Sequence, residues 1–339
     1  MNPSYKVLSG DNEGSSAILV TGGSGYVGTE LVKCLASKGE TVVSMYRHRL
    51  PEPRDNVFPV CSDLGSEELL AAPLRGVETV IHLAWERNLL GPEQGIGSLD
   101  FGKSDIKTNN IKLLENLVAA MEKANTKRIV FVSAYGAAFH AGEPFLREKY
   151  CGELCILNSK IPEKIIVRPG IIYGGDEKRD RFMNTIRRVM RFPGLYPIPM
   201  IKGQLHPLHI SDFIQGLISL VRRPLQEPNK ILDFLGDESL RIDEIFKLIA
   251  ESDNRSSKVG IGSFFGNFLI TLFEKDIKND QNLVRLKDYL VFKKADERPL
   301  MIDNTIQKMI KSQNKKFKDG VKRKKVEKES GQITLAPSP

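Results

Sequence analysis

The sequence has few of the residues that mark disulfide-stabilised, zinc-binding or membrane-spanning proteins. Its 339 residues include four cysteines, and no two of them have Cys-x-x-Cys spacing. This excludes a disulfide framework, predicts no metal site and indicates a reducing compartment. The longest apolar run, 264–273, is short of the roughly 18 residues of a membrane span, and residues 1–16 lack an apolar signal-peptide core. We therefore expect a cytoplasmic protein without a membrane span.

Basic residues outnumber acidic residues, and the excess lies in one segment. The chain has 50 Lys and Arg against 42 Asp and Glu, a net charge of +8. Between Lys308 and Lys328 lie ten basic residues and only Asp319 and Glu327, so the rest of the chain is about neutral. The charge distribution therefore does not indicate a basic protein body suited to nucleic acid, and we predict no specific nucleic-acid partner. We interpret the tail, 308–339, as disordered and solvated; the alternative is weak contact with an anionic surface, lipid or RNA.

Short apolar runs alternate with helical patterns along most of the chain. After a polar, flexible lead-in at 1–16, the strand candidates are 17–21, 41–45, 57–61, 77–83, 128–132 and 164–167. A long helix is predicted at 105–124. After residue 175 the alternation weakens, with helical patterns at 212–222 and 242–252. This order predicts an α/β fold with a parallel sheet and right-handed crossovers.

A glycine-rich turn directly follows the first strand and opens a helix. In Gly-x-x-Gly-x-x-Gly, Gly22 permits the tight turn, Gly25 lets the backbone approach a phosphate, and Gly28 allows close packing of helix and sheet. The helix N-terminus supplies free N–H groups and partial positive charge. The turn therefore predicts a dinucleotide site with the contacts Gly22, Ser24, Gly25, Tyr26, Val27 and Gly28.

The end of the second strand distinguishes NAD from NADP. NAD-binding folds place an acid there for the ribose 2′-hydroxyl, whereas this chain has Arg47 and no acid. An arginine suits a 2′-phosphate, so we expect NADP(H) to be favoured over NAD(H). The alternative is that Arg47 is a surface charge on a loop and that the pocket does not distinguish NADP(H) from NAD(H). Asp63 and Leu64 end the third strand, where the carboxylate could accept from adenine or cap the next helix.

Several motifs in order resemble the extended and atypical branches of the short-chain dehydrogenase/reductase superfamily, which includes NAD-dependent epimerases and dehydratases. The resemblance covers about residues 17–250. Its motifs are T-G-G-S-G-Y-V-G at 21–28, S-D-L at 62–64, H-L-A at 82–84, V-S-A at 132–134, R-P-G-I-I-Y-G at 168–174 and H-P-L-H-I-S-D-F at 206–213. It implies a Rossmann-type doubly wound parallel sheet with a smaller C-terminal substrate lobe, and a small-molecule substrate that the sequence does not identify.

The resemblance also implies domains and further cofactor contacts. We expect a dinucleotide-binding core at 17–175 and a substrate-side lobe with returning core elements at 176–307. It places His209 and Asp212 on the loop where that lobe rejoins the sheet. For His206 and His209 we favour packing and capping roles, and Asp212 could be the N-terminal cap of its helix. The cofactor contacts that it adds are Leu83, Ala84, Asn110, Lys149, Arg168 and Pro169.

The expected chemical centre departs from the family pattern. Family chemistry uses Tyr-x-x-x-Lys on one helix face and a nearby Ser or Thr. Here Lys149 is present, but Phe145 stands at the tyrosine position. Ala134 occupies the usual serine position, and Ser133 is one residue early, where strand alternation directs it to the other side. A register shift could restore Ser133 as the catalytic hydroxyl, but no shift gives position 145 a hydroxyl. Tyr135, Tyr150 and Tyr173 are candidate replacement acids, but none has the required spacing.

These departures favour binding over catalysis. The stretches V-S-A-Y-G-A, F-L-R-E-K and D-R-F-M-N are most similar to an atypical subgroup that includes the nucleotide-binding accessory subunit of respiratory complex I. We therefore predict an NAD(P)(H)-binding protein with weak or no standard oxidoreductase activity. The alternative is an active NADP-dependent carbonyl reductase, or a nucleotide-sugar epimerase or dehydratase, that uses a non-standard acid.

Overall fold

Seven short runs rich in Val and Ile pair side by side in one sheet. The computed structural model describes residues 17–85, 109–141, 144–189, 204–222 and 229–252. The sheet contains β1 (Ala17–Thr21), β2 (Val42–Tyr46), β3 (Val57–Cys61), β4 (Val77–His82), β5 (Arg128–Val132), β6 (Glu163–Pro169) and β10 (Asn229–Phe234). Their order across the sheet is β10-β6-β5-β4-β1-β2-β3, and every neighbouring pair is parallel. The predicted α/β parallel sheet is confirmed.

Helices connect the strands and cover the sheet. They are α1 (Tyr26–Ser37), α2 (Glu67–Ala71), α3 (Asn109–Lys123), α4 (Pro144–Leu157), α5 (Arg181–Val189), α6 (Ile210–Arg222) and α7 (Ile242–Ser252). Side chains of β1 alternate between the two faces: Leu19 packs with Leu114 of α3, whereas Val20 packs with Leu31 of α1 and Phe213 of α6. Burial on both faces explains why the strands are almost continuously apolar.

A third, smaller core lies apart from the two faces of the main sheet. Ile186 of α5 packs there with Ile245, Phe246 and Ile249 of α7. Two short pairings accompany it: β8 (Gln204–Leu205) with β11 (Leu240–Arg241), and β7 (Ile171–Tyr173) with β9 (Pro207–His209). Most of these elements follow residue 175, where the sequence predicts a smaller lobe, but β7 precedes it, and the domain bounds 17–175 and 176–307 stay predictions. The same part of the chain returns β10 to the main sheet, where it pairs with β6.

The predicted boundaries need small corrections. The third strand candidate is confirmed exactly as 57–61, whereas the second lies one residue later than predicted and the sixth is longer at both ends. Among the described residues the long helix begins at Asn109, because 105–108 lie outside them. Helix α6 begins at Ile210, directly after β9, rather than at 212. The predicted lead-in 1–16 and basic tail 308–339 also lie outside the described residues.

Candidate functional site

The glycine-rich turn lies where the strand order of the sheet reverses direction. Strand β1 lies between β2 and β4, and the chain proceeds outward from it on both sides. Because the strands are parallel, their carboxyl ends meet at one edge of the sheet. In open α/β sheets the crevice at this reversal is the place where ligands bind. The sequence motif and the topology therefore point to the same edge.

Close backbone packing explains the glycines of the turn. Gly22 has φ +68°, a left-handed conformation that favours glycine. A Cβ added at Gly28 would lie 2.1 Å from the carbonyl oxygen of Gly22, and one added at Gly25 would lie 2.9 Å from the same oxygen. Any larger residue at Gly28 would push the helix away from the turn. The start of α1 is thus held directly against the end of β1.

The N-terminus of α1 fits an anionic group. Its N-cap residue, Gly25, has no side chain with which to cap the first N–H groups, and the first turn contains no acid. The N-terminal N–H groups and the helix dipole therefore favour a phosphate over a cation. The hydroxyl of Tyr26 donates to the carbonyl of Gly174 at 2.5 Å. Any phosphate contact of Tyr26 would accordingly come from its backbone N–H.

Thr21 joins the ends of β1 and β4. Its hydroxyl oxygen accepts from the backbone N–H groups of Leu83 and Ala84, at 3.2 and 3.3 Å. The same hydroxyl lies 2.8 Å from Nδ1 of His82. Burial, together with the nearby charge of Lys149, lowers the pKa of His82 to about 3. His82 is therefore neutral, and since the Thr21 hydroxyl can donate to Nδ1, this network assigns the ring proton to Nε2.

The predicted adenosine-side residues lie at loop positions. Arg47 is exposed and follows the last residue of β2. Asp63 and Leu64 lie beyond the end of β3, which corrects the expectation that they end that strand. The Asp63 carboxylate accepts from the N–H of Gly65 at 2.8 Å. It closes a turn and does not cap α2, whose N-cap residue is Ser66.

Helix α4 places Phe145 and Lys149, the pair predicted at the family's catalytic positions, on one face. Residues four apart on a helix are neighbours, and the Lys149 ammonium lies 5.9 Å from the ring centroid of Phe145. The ammonium donates to the carbonyl oxygen of Val132 at 2.8 Å and lies 3.9 Å from the ring centroid of Trp85. Lys149 is 5% exposed. Its charge is thus stabilised by the protein, next to a ring that carries no hydroxyl.

The Ser133 hydroxyl is engaged in a buried ionic network. It donates to Oε1 of Glu153 at 2.5 Å. The same carboxylate receives two hydrogen bonds from Arg168, Nε to Oε1 at 2.8 Å and Nη2 to Oε2 at 2.6 Å. Glu153 is 1% exposed. Bidentate pairing satisfies its charge inside the protein. A catalytic Ser133 and a cofactor-binding Arg168 stay predictions.

Asn110 belongs to a second buried carboxylate group. Its amide donates to Oε2 of Glu148 at 3.1 Å, and the indole N–H of Trp85 donates to the same oxygen at 3.0 Å. Neither Glu148 nor Trp85 was predicted from the motifs. Trp85 is the single tryptophan of the sequence and directly follows the H-L-A motif, a signal that could have found it.

Two of the candidate replacement acids, Tyr135 and Tyr173, have a raised pKa. Burial raises the pKa of Tyr173 to about 12, with Asp212 contributing. Burial also raises the pKa of Tyr135. A catalytic tyrosine needs the opposite shift. Tyr150 follows Lys149 directly, so its side chain leaves the helix about 100° away from that of Lys149.

Two other residues do not lie on the predicted loop. His209 ends β9 and Asp212 lies in the first turn of α6, so no loop separates them from regular structure. The Nδ1 of His209 lies 2.5 Å from the hydroxyl of Ser211. Burial raises the pKa of Asp212 to about 6. Because Asp212 is the third residue of α6, it is not the N-terminal cap that the sequence allowed, whereas the contact of His209 is compatible with a packing role.

Fold and site together define a class of protein. A glycine-rich turn that can hold an anion, placed where the strand order of a parallel sheet reverses, is typical of Rossmann-type dinucleotide-binding proteins. The family follows from a direct match: residues 18–231 match the model of the NAD dependent epimerase/dehydratase family. The chain belongs to this family.

The chain is also similar to named relatives and to a solved structure. The chain is 27% identical over 267 residues to NADH dehydrogenase [ubiquinone] 1 alpha subcomplex subunit 9, mitochondrial, of Dictyostelium discoideum, covering 77% of this chain and 71% of that protein. The Mus musculus protein of the same name is 25% identical, covering 70% of this chain and 61% of its own length. MoeE5 in complex with UDP-glucuronic acid and NAD has a TM-score of 0.59 at 21% identity, covering 73% and 86% of the two chains. The last comparison shows the fold alone.

In the described part of the chain, no helix is long and apolar enough to span a membrane. The same part also contains no group of three or more His, Cys, Asp or Glu side chains placed to hold a metal ion.

Proposed function

We propose that this protein binds NAD(P)(H), with NADP(H) favoured, as a structural or sensing ligand and not for routine hydride transfer. The observation that carries the proposal is Phe145, whose ring stands beside Lys149 where the family pattern has a tyrosine. A bound nicotinamide dinucleotide supplies a hydride donor or acceptor. Reduction of a carbonyl also needs a proton donor at the substrate oxygen, and a phenyl ring has none.

The surroundings of Phe145 support the same conclusion. The Lys149 ammonium already interacts with the Val132 carbonyl and the Trp85 ring. The Ser133 hydroxyl already donates to Glu153. Polar groups that would serve chemistry are instead satisfied by protein partners. Cofactor binding, in contrast, depends on the glycine turn and the α1 N-terminus, which remain suited to a pyrophosphate.

Preference for NADP(H) depends on Arg47. It is exposed directly after β2, where NAD-binding folds have an acid, and a guanidinium can pair with a 2′-phosphate. Calorimetric titration of the full chain with NADP⁺ and NAD⁺ at one ionic strength tests the preference. Equal affinities, or tighter NAD⁺, would overturn it.

Restoring the missing oxygen tests the catalytic part of the proposal. Phe145→Tyr adds one hydroxyl to a ring already accommodated there, and Ala134→Ser adds the second missing group. Turnover of NADPH should be absent or very slow in the wild type and should rise about 10²- to 10⁴-fold in the variants, the usual contribution of a positioned acid. The readout is NADPH oxidation over a panel of carbonyl compounds.

Phe139→Tyr is the matched control, because it makes the same chemical change at an exposed side chain, 57% accessible. It should leave turnover at the wild-type level. Wild-type turnover at about 1 s⁻¹ or faster would instead support an active reductase or epimerase with another acid. Tyr135 and Tyr173 would then be the first residues to replace.

Cellular location is part of the proposal. The cytoplasmic location expected from the sequence is kept for this chain, although the relatives named above carry mitochondrial names. Fractionation of cells that express the full chain from its own gene tests it. Recovery with mitochondria would overturn the cytoplasmic location and would favour a role like that stated in the relatives' names.

A further inference from the structure

A side chain from a distant loop reaches the glycine-rich turn. Arg179 lies between β7 and α5, 155 positions along the chain from Ser24. Its Nη2 donates to the Ser24 carbonyl at 2.5 Å, and its Nη1 donates to the Thr29 hydroxyl at 2.8 Å. Both acceptors belong to the turn or to the first helical residues of α1. The guanidinium is thus fixed at the same place where the α1 N-terminus presents its N–H groups.

The loop is anchored so that Arg179 faces α1. Asp180 is 2% exposed, and its carboxylate accepts from the N–H groups of Gly174 and Met183, at 2.5 and 2.9 Å. The Tyr26 hydroxyl donates to the Gly174 carbonyl, which ties the same loop to α1. The acid next to Arg179 is therefore engaged by its own loop and by the first turn of α5.

The charge of Arg179 has no carboxylate partner in the described part of the chain. Its hydrogen bonds go to a neutral carbonyl and a neutral hydroxyl. The first turn of α1 has no acid and no side-chain cap. A full positive charge thus lies beside the partial positive charge of a helix N-terminus, a placement that repels without an anion and becomes favourable with one. Two of the five N–H donors are used, which leaves others for a ligand.

We propose that Arg179 binds the pyrophosphate of the dinucleotide together with the glycine-rich turn. This inference rests on the proposed function, since it names a further residue of the same site. A pyrophosphate carries the negative charge that the cluster lacks, and an arginine fork pairs with phosphate oxygens in a planar geometry. Arg179 would therefore contribute affinity that is common to NADPH and NADH, unlike Arg47, which would distinguish them.

The experiment titrates NADPH and NADH into the full chain and into three variants. Arg179→Gln should weaken both ligands by the same factor, about 10- to 100-fold, the usual range for a charge-assisted contact. Because one phosphate contact is lost, the dependence of the dissociation constant on salt should become shallower. Arg179→Lys should recover part of the affinity. Lys178→Gln, the same charge change at an exposed neighbour, should bind as the wild type does.

Each other outcome has a defined meaning. If the wild type binds and Arg179→Gln binds equally well, the inference is wrong while the proposed function stands. If Arg179→Gln lowers the melting temperature without ligand and leaves the salt dependence unchanged, Arg179 only fastens the loop, and the inference is again wrong. If the wild type binds neither NADPH nor NADH at any salt concentration tested, the proposed function and this inference both fail.

Discussion

The two ends of the candidate site differ in what holds them together. The cradle end, Thr21 to Gly28, is built from backbone: close glycine packing, a tight turn and a helix N-terminus. The chemical end, around Phe145 and Lys149 on α4, is built from side chains that bind one another. The geometry of the cradle end is thus set by its own backbone and does not depend on the side chains around Phe145 and Lys149.

The chemical end has instead become a packed polar network. The Glu153 carboxylate is satisfied by Arg168 and Ser133, and the Lys149 ammonium by a carbonyl and an indole ring. Buried charges are stable only when paired and hydrogen-bonded. These paired side chains therefore support the fold at this end of the site. The difference teaches that the two ends depend on different kinds of contact, so a substitution can be aimed at one end without touching the other.

The largest expected effect comes from breaking the cradle. Gly25→Val places a side chain where a phosphate approaches the turn, and its Cβ would crowd the Gly22 carbonyl at 2.9 Å. Affinity for NADPH and NADH should fall about 1,000-fold or more, equivalent to about 4 kcal/mol. Calorimetric titration measures it. Ser37→Val, at the exposed end of α1, should bind normally. If Gly25→Val still binds NADPH and NADH, the dinucleotide does not bind at the cradle end.

The same comparison shows what could be predicted from the sequence. The cradle is local: strand, glycines and helix follow one another within residues 17–37, so motif and periodicity define it. The chemical end depends on contacts between distant residues, such as Trp85 with Glu148 and Arg168 with Glu153. Spacing along one helix predicted that Lys149 and Phe145 are neighbours. It could not predict which partners from other elements satisfy the charges.

The second prediction tests whether Arg168 belongs to the fold or to the cofactor site. Its side chain is 19% exposed and pairs with a Glu153 side chain that is 1% exposed. Arg168→Leu leaves that carboxylate buried without its guanidinium, so the free energy of unfolding should fall by about 3–5 kcal/mol. Urea unfolding measures it. A change confined to dinucleotide affinity, with stability kept, would contradict the structural role.

Arg222→Leu is the matched control. Arg222 pairs with Glu40 at 2.8 Å, but its side chain is 44% exposed and that of its partner is 26% exposed. Water screens such a pair, and its loss should cost about 1 kcal/mol or less. A similar cost for the two variants would mean that the Arg168 pair is no more important to folding than a surface pair.

The smallest expected effect concerns His82, which lies between the two ends. It contacts Thr21 of the cradle, and the Lys149 charge helps lower its pKa to about 3, although burial is the larger cause. An unfolded histidine has a pKa near 6.5. Below that pH, His82 binds a proton in the unfolded chain but stays neutral in the folded protein. The contribution of neutral His82 to the free energy of unfolding is therefore complete above pH 6.5 and is lost as the pH falls towards 3.

Comparing His82→Gln with the wild type isolates this effect. Glutamine can still accept a hydrogen bond from Thr21 but does not titrate. Between pH 6 and pH 5 the free energy of unfolding of the variant should therefore fall less than that of the wild type, by about 1 kcal/mol per pH unit. Urea unfolding at each pH measures the slopes. His140→Gln, at an exposed position, should follow the wild-type slope. If the free energy of unfolding depends on pH in the same way in the wild type and in His82→Gln, then His82 accepts its proton in the folded protein. The ring between the cradle end and the chemical end would then not be neutral.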